Sequence, residues 1–111
     1  MGQKRSTRYQ YFEVVDRYDV KGETLIEKGR VMNISESGIL YKGEESLMVG
    51  DRYKFKFDLG GTRFFVEGVV TRSACNLADK KSLAGVLLAF STPEKDKLLL
   101  SIERLNIKPV A

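Results

Sequence analysis

The sequence contains no histidine and only one cysteine, Cys75, among its 111 residues. The missing histidine excludes Ser–His–Asp triads, HExxH metal sites and imidazole bases, so a catalyst would have only carboxylates, lysines and one thiol. A single cysteine cannot form a disulfide within the chain, which favours a reducing compartment and a cytoplasmic location. The composition therefore argues against an enzyme.

The sequence also lacks long apolar runs. No segment reaches the roughly 18 consecutive apolar residues of a membrane span, and the N-terminus has no apolar signal core. With 42% hydrophobic residues over this length, the chain is predicted to form one domain around a single core.

Positive charge is concentrated at the N-terminus. Lys4, Arg5 and Arg8 precede the first acidic residue, Glu13, whereas residues 9–111 contain 16 basic and 15 acidic side chains. Most of the formal net charge of +4 therefore lies in one short segment. This distribution indicates a basic tail attached to a nearly neutral domain.

Strand patterns fill most of the chain. The clearest is the strict alternation of Tyr53–Leu59, which places apolar side chains on one face and charges on the other. Gly60 and Gly61 then supply the positive φ angles of a tight hairpin turn. Strands are expected at Tyr11–Val15, Leu25–Ile34, Gly38–Tyr41, Tyr53–Leu59, Thr62–Arg72 and Gly85–Ser91. This number of short strands predicts a small antiparallel barrel or a closed pair of sheets.

The periodicity becomes helical after the last strand. Thr92 is predicted as the N-cap and Pro93 as the first helical residue of a helix over about 93–105. The helix is expected to cover an open end of the sheet with four apolar residues, Leu98, Leu99, Ile102 and Leu105. We therefore divide the chain into a flexible basic segment, residues 1–10, and a single domain, residues 11–111.

Two small polar residues and a glycine lie close together in the sequence at one predicted strand end, namely Asn33, Ser35 and Gly38. Because side chains alternate along a strand, Asn33 and Ser35 are expected on one face, and Gly38 permits a sharp turn. The residue pattern favours a turn whose polar side chains bond to local backbone groups, with a ligand site as the other interpretation.

Taken in order, these segments resemble the PilZ domain, a bacterial family of cyclic di-GMP receptors. The family pattern has an RxxxR-type basic segment, a [D/N]xSxxG turn, two later apolar strands and a closing helix. Asn33, Ser35 and Gly38 match the turn motif. Glu67–Arg72 and Ala84–Phe90 look like the later strands. The resemblance implies a mainly β fold, a six-stranded antiparallel β-barrel with a C-terminal α-helix.

The resemblance also implies a ligand, cyclic di-GMP, which would be bound and not converted. Arg8, with Lys4 or Arg5, would contact phosphates and guanine edges. The chain departs from the family pattern at Lys4, which stands where the first arginine is found and lacks a planar guanidinium. Arg5 is adjacent and could take over part of that role.

In the same way, Asn33 and Ser35 would hydrogen-bond to a guanine, and Gly38 would let the backbone approach the ligand. Binding would order the basic segment and change the surface shown to an unidentified protein partner. No cofactor, metal or DNA is expected.

Three other interpretations remain open on the sequence. The domain could be a degenerate PilZ-like adaptor that binds proteins and not the nucleotide. It could also bind single-stranded nucleic acid through Tyr9, Tyr11 and Phe12, although its nearly neutral charge argues against this. An enzyme would have to use carboxylates such as Asp16 and Asp19, which lie in segments where solvated charge is the default.

Overall fold

The computed structural model of the chain describes residues 7–75 and 78–110. Within these ranges, six strands precede one helix. Their bounds are β1 Tyr9–Tyr18, β2 Leu25–Ile34, β3 Gly38–Gly43, β4 Arg52–Leu59, β5 Thr62–Cys75, β6 Ser82–Leu88 and α1 Thr92–Arg104. In the same ranges, no helix has the length and apolar character needed to cross a membrane.

The strands close into an antiparallel barrel in the order β1-β2-β3-β6-β5-β4. This confirms the predicted six-stranded antiparallel barrel followed by a C-terminal helix. Closure depends on strands that are distant in sequence, since β3 pairs with β6, and β1 pairs with β4 over Asp16–Tyr18. The pairing of β1 with β4 that closes the barrel covers three residues of each strand, Asp16–Tyr18 and Lys54–Lys56.

The β4–β5 hairpin follows the predicted alternation. Phe55, Phe57 and Leu59 are buried in the core, and the charged residues between them lie toward solvent. Gly60 and Gly61 have φ angles of 60° and 86°, in the left-handed region that a tight hairpin turn requires. The predicted hairpin and its turn are confirmed.

Strand β6 lies three residues earlier than predicted, at Ser82–Leu88 rather than Gly85–Ser91. Its first residue pairs with the last residues of both β3 and β5, so the neighbouring strands fix where it starts. After its last residue the chain leaves the sheet, because Phe90 turns into the core against Phe64, with ring centroids 5.7 Å apart.

Helix α1 is capped by Ser91, and the predicted cap at Thr92 is wrong. Ser91 Oγ accepts a hydrogen bond from the backbone N–H of Glu94 at 3.3 Å, and the Ser91 N–H donates to Glu94 Oε1 at 2.8 Å. This reciprocal pair is a capping box. A cap at Thr92 would place Lys95 at the third helical position, and a lysine side chain cannot accept a hydrogen bond.

The helix buries a narrower stripe than predicted. Leu98 and Ile102 are buried against the end of the barrel, whereas Leu99 and Leu105 remain 39% and 44% exposed. The helix contacts β4 and β5, whose connecting turn lies beneath Leu105. It therefore covers the hairpin end of the barrel with two of the four predicted residues.

A charged side chain, Arg17, lies fully buried inside the barrel. Its guanidinium donates to the Tyr41 hydroxyl at 3.3 Å and forms ion pairs with Glu27 at 3.5 Å and Glu45 at 3.3 Å. The ring of Tyr53 covers it at 4.4 Å. Burial by itself lowers the pKa of Arg17, but the hydrogen bond to Tyr41 and the nearby carboxylate raise it above its usual value.

Candidate functional site

The turn between β2 and β3 is held by the hydroxyl group of Ser35. Its Oγ accepts hydrogen bonds from the backbone N–H groups of Ser37 and Gly38, both at 3.2 Å. The Ser35 N–H donates to the Gly38 carbonyl oxygen at 2.8 Å, and the side chain is buried. The hydroxyl therefore satisfies local backbone groups, and its direct contact with a ligand stays a prediction.

Gly38 is required by the close approach of β3 to β6. A Cβ atom at this position would collide with the carbonyl oxygen of Val86, a backbone atom that cannot move without displacing β6. Its φ angle is not positive, so the requirement is for space and not for an unusual backbone conformation. The motif glycine thus holds the turn against the barrel wall.

A β-bulge in β2 turns Asn33 toward the outer surface. Between Val31 and Asn33 the pairing with β3 shifts by one residue, which makes Met32 an extra residue in β2. Val31 and Ile34 are both fully buried, while the two residues between them are partly exposed. Without the bulge, strict alternation from Val31 would point Asn33 into the barrel.

Arg8 connects the N-terminal segment to this surface. Its Nη1 donates a hydrogen bond to Asn33 Oδ1 at 2.8 Å. Its carbonyl oxygen accepts a hydrogen bond from the backbone N–H of Val110 at 2.7 Å, so the two ends of the described chain meet here. The structure thus brings together Arg8 and Asn33 of the predicted site, whereas Lys4 and Arg5 lie outside the described residues.

A second guanidinium, that of Arg72, lies near Arg8 and was not predicted from the sequence. The pairing of β5 with β6 shifts at Thr71, which places Arg72 opposite Gly85. A Cβ atom on Gly85 would lie 3.0 Å from Arg72 Nε, so the arginine lies over space that glycine leaves open. Burial and the positive charge of Arg72 lower the pKa of Arg8. No motif marked Arg72, because its segment has the pattern of an ordinary strand.

Arg8, Asn33 and Arg72 form a polar group on the outer wall of the barrel, which we call the arginine patch. Within residues 7–75 and 78–110, neither guanidinium of the patch forms an ion pair with a carboxylate. Two such guanidiniums suit a phosphate or the Hoogsteen edge of a guanine, since each fork can donate two parallel hydrogen bonds. The arrangement can hold an anion that also carries flat acceptor edges.

The aromatic residues considered as a nucleic-acid platform do not form one. Tyr9 and Tyr11 pack against the core, and the Tyr11 hydroxyl donates to the carbonyl oxygen of Asp58. Of the three, Phe12 is the residue that faces solvent, with 64% of its surface exposed. Stacking of successive bases needs several exposed rings along one path.

The carboxylates considered as catalytic groups are engaged by the fold. Asp16 Oδ1 accepts a hydrogen bond from Lys28 Nζ at 3.1 Å, and Asp19 Oδ1 accepts one from the backbone N–H of Glu23 at 2.8 Å. In the part of the chain that the structure describes, no group of three histidine, cysteine, aspartate or glutamate side chains could hold a metal ion.

A closed six-stranded barrel with two guanidiniums and an amide on its outer wall defines a small domain suited to binding an anionic ligand. The chain belongs to the PilZ domain family, since the model of that family, described as PilZ domain, matches residues 3–105. This confirms the resemblance inferred from the Asn33, Ser35 and Gly38 motif and from the order of the strands and helix.

Two solved structures share the fold. The inhibitor of motility MotI/DgrA of Bacillus subtilis gives a TM-score of 0.76 at 18% identity, covering 96% of this chain and 53% of that one. MrkH of K. pneumonia, solved as a complex with c-di-GMP, gives 0.71 at 13% identity, covering 96% and 55%. This chain thus spans about half the length of each, and at these identities the likeness concerns the fold. No match was found among curated proteins.

Proposed function

We propose that this chain is a receptor domain for cyclic di-GMP, which contacts the arginine patch and the β2–β3 turn. The observation that carries the proposal is the hydrogen bond between Arg8 and Asn33, because it joins the basic segment to the turn motif on one surface. Membership of the PilZ domain family and the c-di-GMP complex of the structural relative MrkH add support.

In this proposal each residue type meets one part of the ligand. Arg8 and Arg72 hold a phosphate or a guanine edge through planar pairs of N–H donors. Asn33, whose amide oxygen accepts from Arg8, offers its NH₂ group to a guanine acceptor. Ser35 and Gly38 act by fixing the turn, and any contact they make with the guanine adds to that role.

Binding changes the charge balance of the surface without a chemical step. An anion between Arg8 and Arg72 relieves the repulsion that lowers the pKa of Arg8. Lys4 and Arg5 supply further positive charge from the segment that precedes Arg8. The output is the ordering of this segment over the barrel, which changes the surface available to a protein partner.

Calorimetry with cyclic di-GMP tests the proposal on wild type and on Arg8→Ala. We expect Arg8→Ala to weaken binding roughly 10- to 100-fold, the usual effect of removing a charged hydrogen-bond donor. Arg63→Ala is the matched control, because Arg63 is exposed and pairs with Asp58 on the β4–β5 hairpin. No heat from the wild-type protein, or equal affinity in Arg8→Ala and wild type, would overturn the proposal.

The second candidate function is a PilZ-like adaptor that no longer binds the nucleotide. The observation that favours it is Lys4, which replaces the first arginine of the family pattern. Thermal unfolding separates the two functions, because a ligand at a hundredfold excess over its Kd stabilises the native state by about 2.7 kcal/mol. An unfolding temperature that does not change with the nucleotide supports the adaptor.

A further inference from the structure

A surface groove of about 360 Å³ lies on the outer wall of β1, β2 and β3. Its walls carry two apolar side chains, four basic ones and one acidic one, Phe12, Met32, Lys28, Arg30, Lys42, Lys81 and Glu44. We call it the β1–β2 groove. None of the arginine-patch residues lines it, although Met32 directly precedes Asn33 in the chain.

Two irregularities of the sheet meet at the apolar wall of this groove. Against β3, Met32 is the extra residue of the bulge in β2. Against β2, the register of β1 also shifts between Gln10 and Glu13, in the stretch that contains Phe12. Bulges re-aim side chains and occur often beside functional sites. Phe12 is 64% exposed on a barrel whose other phenylalanines are mostly buried.

The charges of the groove are unequally compensated. Lys28 pairs with Asp16, Lys42 with Asp79 and Lys81 with Glu44, in each case through the lysine ammonium group. Arg30 is exposed and, within the described ranges, makes no ion pair and no side-chain hydrogen bond. The uncompensated charge of the groove is therefore one guanidinium, next to an exposed aromatic ring and a methionine.

This combination determines the kind of ligand. A guanidinium fork matches the two oxygens of one carboxylate, and Phe12 with Met32 offers an apolar surface beside it. A nucleic-acid backbone fits poorly, because it needs several uncompensated cations along one path and the three lysines of the groove are already paired. The groove is also small compared with a full protein interface, so it suits one short segment of a larger partner.

We propose that the β1–β2 groove binds a short protein segment that carries one aspartate or glutamate next to a large apolar side chain. The carboxylate pairs with Arg30, and the apolar side chain packs on Phe12 and Met32. The groove uses none of the residues assigned to the nucleotide.

Selection from a random-peptide phage library on the immobilised protein tests this inference. We expect enriched peptides to share an acidic residue beside Leu, Phe, Met or Trp. Their affinity for Arg30→Ala and for Phe12→Ala should be roughly tenfold lower than for the wild-type protein. The matched controls are Arg63→Ala and Phe65→Ala, which remove an exposed arginine and a 43% exposed phenylalanine elsewhere on the barrel.

Thermal unfolding of all four variants checks that each is folded, and heteronuclear NMR of the wild type with a selected peptide locates the contact. Shifts centred on the amides of Phe12, Arg30 and Met32 support the inference. It is overturned if no acidic–apolar peptide is enriched, if such peptides bind Arg30→Ala as well as wild type, or if single-stranded DNA binds the groove instead. Weaker cyclic di-GMP binding in Arg30→Ala, with peptide binding unchanged, would assign the groove to the nucleotide and leave the receptor function standing.

Discussion

The guanidinium group of Arg72 lies close enough to that of Arg8 for its positive charge, together with burial, to lower the pKa of Arg8. A bound phosphate would turn this unfavourable pair into two favourable contacts. We therefore expect Arg72→Ala to weaken cyclic di-GMP binding roughly tenfold, and Arg72→Lys to recover part of the loss because lysine keeps the charge without the planar fork.

Calorimetry at low and high salt measures this effect. The loss of affinity with added salt should be smaller in Arg72→Ala than in wild type, because one phosphate contact fewer is screened. Full affinity in Arg72→Ala would place the ligand away from β5 and restrict the site to the basic segment and the turn.

Arg17 is a fully buried charge whose replacement should lower stability strongly. Arg17→Leu leaves the carboxylate of Glu27 beside Tyr41 without its buried cation, and we expect a loss of about 3 kcal/mol in the free energy of unfolding. Glu45→Gln, which alters the more exposed partner, should cost less than about 1 kcal/mol. Urea denaturation of both variants gives the comparison, and equal losses would show that the exposed pair with Glu45 contributes as much as the buried contacts of Arg17.

Tyr11 makes the stability of the fold depend on alkaline pH. Burial, with smaller effects from Glu13 and Asp58, raises its pKa to about 12. An unfolded tyrosine loses its proton near pH 10, so between about pH 10 and 12 the unfolded state binds fewer protons than the native state and becomes favoured as the pH rises. The contribution is thus fully present below pH 10 and lost as the pH passes through 12.

Urea midpoints measured at neutral pH and near pH 11 check this expectation. The midpoint of the wild-type protein should fall over this interval, and that of Tyr11→Phe should fall less. Burial and a hydrogen bond to Glu27 also raise the pKa of Tyr41. Because Tyr41 is still present in Tyr11→Phe, part of the fall in the urea midpoint should remain in that variant. Identical declines in the two proteins would show that Tyr11 titrates as in the unfolded chain.

At the scale of single elements, the start of α1 provides a direct test of the cap. Ser91→Ala removes the acceptor of the Glu94 N–H and should destabilise the protein by about 1 kcal/mol. Thr92→Ala is the matched control, since its hydroxyl takes no part in the capping box, and should change stability little. Thermal or urea unfolding measures the loss of stability in each variant. A larger loss in Thr92→Ala than in Ser91→Ala would show that Thr92 is the N-cap.

Local sequence predicts the β4–β5 hairpin, but it does not predict the bulges in β2 and β5. Alternation and the Gly60-Gly61 turn act between neighbours in the chain, so the hairpin was predictable from its own residues. The bulges at Met32 and Thr71 exist only in relation to the strands that pair with β2 and β5. No local pattern shows such a shift, yet it directs Asn33 outward and places Arg72 opposite a glycine.

At the scale of the whole molecule, the two ends of the described chain meet at the proposed ligand site. The Val110 N–H donates to the carbonyl oxygen of Arg8, and the Gln10 N–H donates to that of Lys108 at 2.9 Å. Val110→Pro removes the first of these donors, whereas Val110→Ala keeps it. We expect Val110→Pro to weaken cyclic di-GMP binding several-fold, about 1 kcal/mol, because the backbone that positions Arg8 loses a hydrogen bond.

Calorimetry on the two variants measures this coupling between the C-terminal residues and the site. Val110→Ala should bind as the wild type does. If Val110→Pro binds with the same affinity, the position of Arg8 depends on its side-chain contact with Asn33 and not on the C-terminal residues.

The residue patterns by themselves determined a small antiparallel β fold, either a barrel or a closed pair of sheets, and they located the hairpin, the C-terminal helix and the turn motif, because alternation, turn glycines and helical spacing express short-range preferences. The resemblance to PilZ domains favoured the barrel. The sequence also located the excess charge in the segment that contains Arg8. Only the tertiary structure decided that Arg17 is buried, that Asn33 turns outward, and that Arg72 joins Arg8 and Asn33. These features depend on the register between strands distant in sequence and on the space that closure of the barrel leaves, and neither is written in any single segment.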